Sequence, residues 1–516
     1  GSSTDSSQSG STGSTPPAMP SGTAPSGDSS QSGGTTPSGT APSGGMTRET
    51  FTAGTTSLTL DFSSVTISVE AMDGSTTTGS ISDIAADSIL EITFGDSGKI
   101  TGVTVKQTGG ADGQGAPDAN GQQNNSSGST DNGTAAATIS EDTTVSGASY
   151  ASTGDDENAL RVDGATVSLD NIDVSKTAGA SSNTDTGNFY GMNAGLLAEN
   201  GANVTIKNAS VNTTTDNGNG VFSYGTGTTV NISDSTIRTS GNNAGGIQTT
   251  GGGTTNASNL DVITQGNSSA AIRSDRGGGT VNVNGGSYAT NGSGSPAVYS
   301  TAAIAVSDAT LTANNSEAVV VEGKNSVNLT NCNVTGNMTG TYNDDSENIH
   351  NIMIYQSMSG DAAQGNASFS MTGGSLTAKQ GDMIYVTNTS CDISLTNVNL
   401  TLANDTLLTA AGNSSSRGWG TAGSNGAAVT MTTSQQKLSG KITVDSISSL
   451  NLSLTNGTTY EGSINTDGAA GTVNVTLDSS STWTLTGDSY VTTFDGNTAN
   501  VISNGYHLYV NGAAVL

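Results

Sequence analysis

The sequence predicts an all-β protein: a parallel β-helix solenoid, with a small β module before it and a β cap closing its C-terminal end. Three observations carry this expectation. Short alternating apolar segments recur through residues 165–400 at a spacing mostly in the twenties, the signature of stacked coils. The composition opposes helix, with 71 glycines in 516 residues and many small polar and β-branched side chains. Aromatic residues, only 4% of the chain, crowd the last stretch, where a solenoid needs its open end covered.

The balance of charge narrows the function classes. The net charge is −29 at pH 7, with 14 Lys and Arg against 43 Asp and Glu. Nucleic acid is excluded as a partner, because phosphate backbones require a basic surface. No run of 18 apolar residues occurs, so no segment reads as a membrane-spanning helix. The expected product is a secreted or surface-exposed β protein rich in neutral polar side chains.

Residues 1–48 are almost wholly Ser, Thr, Gly and Pro. They hold too little apolar surface to offset the entropy of ordering, and read as a flexible tether. Gly1-Ser2-Ser3 and the long spacer after it are similar to the stretch just beyond the lipid-modified cysteine of a bacterial surface lipoprotein, which implies a lipid anchor upstream of Gly1. A trimmed fragment with a linker is the equally open alternative. Residues 49–107 read as the small β module: SLTLDF, VTISVEA, ILEITFG and KITGVTVKQ alternate with period two between polar turns. Residues 108–133 form a second Gly-, Asn- and Gln-rich linker.

The solenoid is assigned to 134–475. Its repeat reads Val167-Leu169-Ile172-Val174, Val204-Ile206-Ala209-Val211 and Val230-Ile232-Ser235-Ile237, and continues to Ile393-Leu395-Val398-Leu400. Successive starts lie 37, 26, 25, 26, 23, 23, 42 and 24 residues apart. The two long intervals are ordinary coils carrying loops, at about 176–192 and 336–366. A second set of anchors precedes most repeats: Leu196, Val221, Ile247, Ile272, Val298, Val319, Ile354 and Ile384. Coils stacked at about 4.8 Å place each anchor on the next, giving one narrow apolar core. The C-terminal cap spans 476–516 and includes Trp483, Tyr490, Phe494, Tyr506 and Tyr509.

Together, the repeat, the segment AIRSDRGGGT and the terminal WTLTGDSYVTTFDG…NGYHLYVNG resemble adhesin-like, carbohydrate-binding surface proteins of Gram-positive gut bacteria. The coils resemble the right-handed parallel β-helix of the pectin-lyase-like kind. The right hand comes from that resemblance alone, and no catalytic motif is carried over with it. The resemblance implies an extracellular, cell-surface protein whose partner is a polysaccharide or host glycan.

The two cysteines, Cys332 and Cys391, fall two coils apart, about 10 Å along the stack. That exceeds the roughly 7 Å between Cα atoms that a disulfide tolerates, so two buried thiols are expected. His350 and His507 lie far apart in the chain, and the pattern gives no zinc site.

Alternation supplies the candidate binding residues. The residue after each second anchor points outward, giving Leu197, Phe222, Gln248, Arg273, Tyr299, Val320, Tyr355 and Tyr385, with Tyr224 two places beyond Phe222. The aromatic members form a strip suited to the C–H faces of sugars, or simply cross-strand packing. Arg273 and Arg276 suit a carboxylate or uronic acid, or an internal pair with Asp275. An enzyme would draw on Asp275 and Glu322, about 10 Å apart by coil spacing, at the edge of the ~6.5–9.5 Å used for inverting glycoside hydrolysis; Glu199 shares their column. No cofactor is called for. The acidic loop with Asn343, Asp345 and Glu347 at alternating positions reads first as a solvated acidic turn, with calcium as the alternative its oxygen ligands suit. Adhesion or glycan binding without catalysis is the leading expectation. A polysaccharide-degrading hydrolase or lyase and a passive structural spacer are the alternatives.

Overall fold

The computed structural model describes residues 65–70, 76–80, 84, 89–94, 100–106, 132–341, 348–468 and 471–516. The tether, most of the second linker, the SLTLDF segment and the candidate calcium residues Asn343, Asp345 and Glu347 lie outside the described residues. The N-terminal module is a four-stranded sheet in the order Thr76–Thr78, Thr66–Glu70, Ile100–Lys106, Ile89–Phe94. Its two central strands run parallel and bury Ile67 and Val103.

From residue 132 the chain winds as a parallel β-helix. Most coils give one strand to a 12-stranded sheet and two to a 22-stranded sheet. Gly253–Thr264 and Gly279–Thr290 run through both places on the larger sheet as single strands, and Lys437–Ser439, Thr459–Gly462, Thr482–Leu485 and Val501–Ile502 form a separate sheet. One coil comprises Leu196–Glu199, Asn203–Lys207 and Ser210–Thr213; the next comprises Val221–Tyr224, Thr229–Ser233 and Thr236–Thr239. The expected anchors pair across coils: Leu196 with Val221, Val221 with Ile247, Ile247 with Ile272 and Ile272 with Val298. On the larger sheet Val204, Val230, Thr255, Val281, Ile304, Val327, Phe369 and Ile393 form one unbroken column. Its apolar members belong to one continuous core. Branched side chains repeat at strand spacing there, so each packs on its own kind. Thr255, where the apolar pattern weakens, is buried and pairs its hydroxyl with that of Thr249 at 2.7 Å.

The corners explain the polar composition. Between the two strands on the larger sheet the chain turns through a left-handed residue: Asn171, Asn208, Asp234, Asn259, Asp308, Asn331 and Asn397 all have φ near +50°. Asn and Asp tolerate this region best among non-glycine residues. Their side chains also bond from coil to coil, Asn208 Nδ2 donating to Asp170 at 2.8 Å and Asn259 Nδ2 to Asp234 at 2.8 Å. At the opposite corner buried threonines close the turn, as where Thr239 Oγ1 donates to the Ala244 carbonyl at 2.6 Å. Buried carbonyls that have left the sheet ladder thereby keep a partner.

Cys332 and Cys391 are free, buried thiols. Gly374 lies in the Cys332 column, where a Cβ would sit 2.1 Å from the Cys332 carbonyl oxygen. Cys391 instead pairs with Ala367 and Val429.

At the C-terminal end Trp483 is fully buried and stacks on Tyr460 at 5.7 Å, and Tyr490 stacks on Tyr509 at 4.6 Å. Parallel pairing continues past the expected boundary at 475, through Thr493–Gly496 and Leu508–Val510. Antiparallel pairing of Leu508–Val510 with Ala513–Ala514 ends the series.

Candidate functional site

The site is built where loops fold over the outward face of the 12-stranded sheet. The first loop carries the helix Thr184–Tyr190, which the sequence pattern did not indicate. Asn183 caps it by accepting from the amides of Asp185 at 2.9 Å and Thr186 at 3.1 Å, and Gly191 ends it at φ +79°. The helix end is bonded to the sheet: Gln248 Nε2 donates to the Asn188 carbonyl at 3.0 Å and Thr250 Oγ1 to that of Phe189 at 2.5 Å. Two further loops reach the same face, one at 356–365 carrying Asp361 and one at 411–427 carrying Arg417 and Trp419.

This cover changes the reading of the aromatic strip. Leu197 and Phe222 are fully buried and pack with Ala194 and Tyr224, and the Tyr190 ring meets Tyr224 edge-on at 5.5 Å. Phe222 is therefore a core residue of this small cluster, with no surface left for a ligand. Tyr385, 3% exposed, is likewise enclosed, with Val320, Met353, Tyr355 and Trp419.

The register also corrects the position of Tyr355. Ile352, not Ile354, pairs with Val319 and Ile384. Met353 thus continues the Val320 column, while Tyr355 lies directly beside Glu322 in the neighbouring one. Both apolar residues of this strand face inward, so alternation alone does not choose between them.

Beside the cluster of Val320, Met353, Tyr355, Tyr385 and Trp419 lies a cavity of about 300 Å³, lined by Arg273, Asp275, Tyr299, Tyr355, Trp419, Phe189 and Arg417. Arg273 pairs with Asp275 at 3.3 Å and donates to the Asn243 carbonyl at 3.3 Å. Asp275 also accepts the Arg276 amide at 3.0 Å. Burial pushes the Asp275 carboxyl up to about 7; Arg273 opposes the shift, while Asp361 and Glu322 add to it.

Arg276, expected to contact ligand, has another task. It grips Asp361 through Nε at 3.0 Å and Nη2 at 2.8 Å, and lies over the Phe189 ring at 4.0 Å. It joins helix, sheet corner and loop into one wall, a correction carried by contacts that span 85 residues. Glu322 is corrected too: it is 1% exposed, so it does not face Asp275 across an open cleft. It accepts the hydroxyls of Tyr299 and Ser357, and that of Tyr355 at 3.3 Å. Burial raises its carboxyl, and the three hydroxyl donors pull it back. Glu199, the remaining acid of this column, is a structural residue held by Asn132 at 2.6 Å and Arg161 at 3.5 Å.

Trp419 and Arg417 were not singled out from sequence. Trp419 lies against Tyr355 at 4.8 Å, with the Arg417 guanidinium 4.9 Å from its ring. The usable signal was Trp419 itself, one of two tryptophans, standing in a Gly- and Ser-rich stretch that offers it no core of its own. Among the described residues no group of three His, Cys, Asp or Glu side chains is placed to hold a metal ion.

The opposite surface offers a contrasting feature. A shallow trough of about 470 Å³ runs over the 22-stranded sheet along Asn231, Asn256, Asn282 and Asn328. The first three of these amides form a ladder, each donating to the previous one at 2.9 Å.

Comparison with protein-family models, with curated proteins and with solved structures finds no match to this chain. The chemistry must be read from the cavity. It is lined by aromatic rings and a buried Arg–Asp pair, with Tyr299 and Arg273 side by side on adjacent strands, the combination of apolar faces and few convergent polar groups typical of small-molecule sites.

Proposed function

We propose that this is an extracellular, surface-tethered glycan-binding protein that takes the end of a polysaccharide or host glycan into the loop-covered cavity. The observation that supports it most is the enclosure of Tyr299, Tyr355 and Trp419 with Arg273 and Asp275 around one space of about 300 Å³. That volume is at the lower limit of ligand pockets and suits one or two sugar rings rather than a long chain laid along a strip. Sugar C–H faces stack on aromatic rings, and sugar hydroxyls exchange hydrogen bonds with a paired guanidinium and carboxylate. The Ser-, Thr- and Pro-rich composition of the first 48 residues supports a tethered role.

A glycan array probed with the full chain tests the reading. Tyr299→Ala and Trp419→Ala should lose the array signal while keeping the wild-type circular dichroism spectrum. A folded wild-type protein that binds no glycan would favour the spacer role.

A further inference from the structure

The cavity holds more than binding requires. The Tyr299 ring lines it, and the Tyr299 hydroxyl donates to the buried carboxylate of Glu322. A hydroxyl whose proton already points at a carboxylate is the arrangement of a nucleophile with its base in place. Asp275 lines the same cavity from the turn just past Ile272–Ser274, the strand that flanks that of Tyr299 on the side opposite Glu322. Arg273 and Arg417 line it as well.

A phenol is an unusual nucleophile for glycosides, where a carboxylate normally serves. It has an advantage in one case. When the anomeric carbon itself bears a carboxylate, an anionic nucleophile is repelled by it, whereas a neutral phenol is not. Guanidiniums in the cavity suit that substrate carboxylate.

We propose that this cavity hydrolyses the terminal ketoside of a carboxylate-bearing sugar, of the sialic or related ulosonic acid class, through a covalent intermediate on Tyr299. In the first step the Tyr299 oxygen bonds to the anomeric carbon and its proton passes to Glu322. The glycosidic bond breaks, and the leaving oxygen takes a proton from Asp275. In the second step water attacks the anomeric carbon and gives its proton to Asp275. The bond to Tyr299 breaks, and Glu322 returns the proton to the phenol oxygen. The net reaction consumes one water and restores every group. Glu322 touches no substrate; it exchanges its proton with the reacting Tyr299 oxygen, as the base of that nucleophile.

Burial keeps Asp275 protonated up to about pH 7, as an acid requires. The charged groups acting on it are Arg273, Asp361 and Glu322, with the Arg276 backbone amide donating to it; Asp361 acts on Glu322, beside the hydroxyls of Tyr299, Tyr355 and Ser357.

The proposal rests on the glycan-binding reading, and the experiment separates the two. The full chain is given the 4-methylumbelliferyl ketoside of N-acetylneuraminic acid, with binding of the free sugar acid measured in parallel. Wild type should release the fluorophore, with a rate that falls above about pH 7 as Asp275 ionises and falls again in acid as Glu322 is protonated. Tyr299→Phe, which keeps the ring and loses the oxygen, should lose on the order of 100-fold or more in kcat at saturating substrate. Glu322→Gln should abolish the acid limb of the profile, which a merely structural role would not do. A 3-fluoro sialosyl fluoride should leave a sugar adduct on the peptide carrying Tyr299. Sugar-acid binding with no release and no adduct would overturn the catalytic proposal and leave the binding reading standing. Absence of sugar-acid binding and turnover, with another glycan bound on the array, would overturn the substrate class and the proposal with it.

Discussion

Tyr299 and Glu322 lie 23 residues apart, on adjacent strands of the 12-stranded sheet, and the phenol of the first donates to the buried carboxylate of the second. Tyr355 and Ser357 complete the set of donors. One acid thus fixes two rings of the cavity wall and the start of the loop at 356–365.

Replacing Glu322 by Ala should therefore cost about 2–3 kcal/mol, because three hydroxyls lose their acceptor in a buried place. Chemical denaturation would measure the loss, and hydrogen exchange should quicken in 356–365 before the rest of the solenoid. An unchanged midpoint would show that the hydroxyls find other partners.

Asp275 makes stability depend on pH in the less common direction. Its carboxyl titrates near 7 when folded, against an ordinary value of 3.8. Between those values the folded protein holds a proton that the unfolded chain releases. The contribution is then complete below about pH 4 and is lost as pH rises to 7. Melting temperatures of wild type should fall over this interval more than those of Asp275→Asn. Parallel curves for the two proteins would show that Arg273 offsets the cost of burying this acid in full.

Phe222→Ala should behave as a core truncation and not as the loss of a ligand contact. Its ring is fully buried against Leu197 and Ala194, so about 3–5 kcal/mol is expected. Exchange should rise in Thr184–Tyr190, the helix lying over that cluster.

Arg276→Ala should act locally. Its partner Asp361 is partly exposed and Arg276 more so, with 24% and 44% of their side-chain surfaces accessible, and such pairs contribute little to global stability, up to about 1 kcal/mol. Glycan affinity should nevertheless fall, because Asp361 and Phe189 are then no longer held in one wall. Unaltered affinity would place the ligand elsewhere.

The solenoid was legible in the sequence because its information is local and repeated. Val204, Val230, Val281 and Ile304 announce one another through spacing alone, and strand pairing does the rest. Register across an inserted loop is not legible in that way, as Ile352 and Ile354 show: both are apolar and both face inward, so period two fits either choice. The site was half visible. Arg273, Asp275 and Tyr299 were found because they lie in outward columns; Tyr355 was picked through the wrong register, two places along from the Met353 that continues that column. Whether a column faces water depends on what loops cover it, and Phe222, Tyr385 and Glu322 are covered. Asp361 and Trp419 reach the cavity from loops whose path no periodicity encodes.

The most direct measurement is the position of a bound sugar. Saturation-transfer and chemical-shift mapping with the strongest array ligand should perturb Tyr299, Tyr355 and Trp419 and leave the amide ladder of Asn231, Asn256 and Asn282 unchanged. Shifts confined to that ladder, with the three aromatic residues silent, would contradict the account.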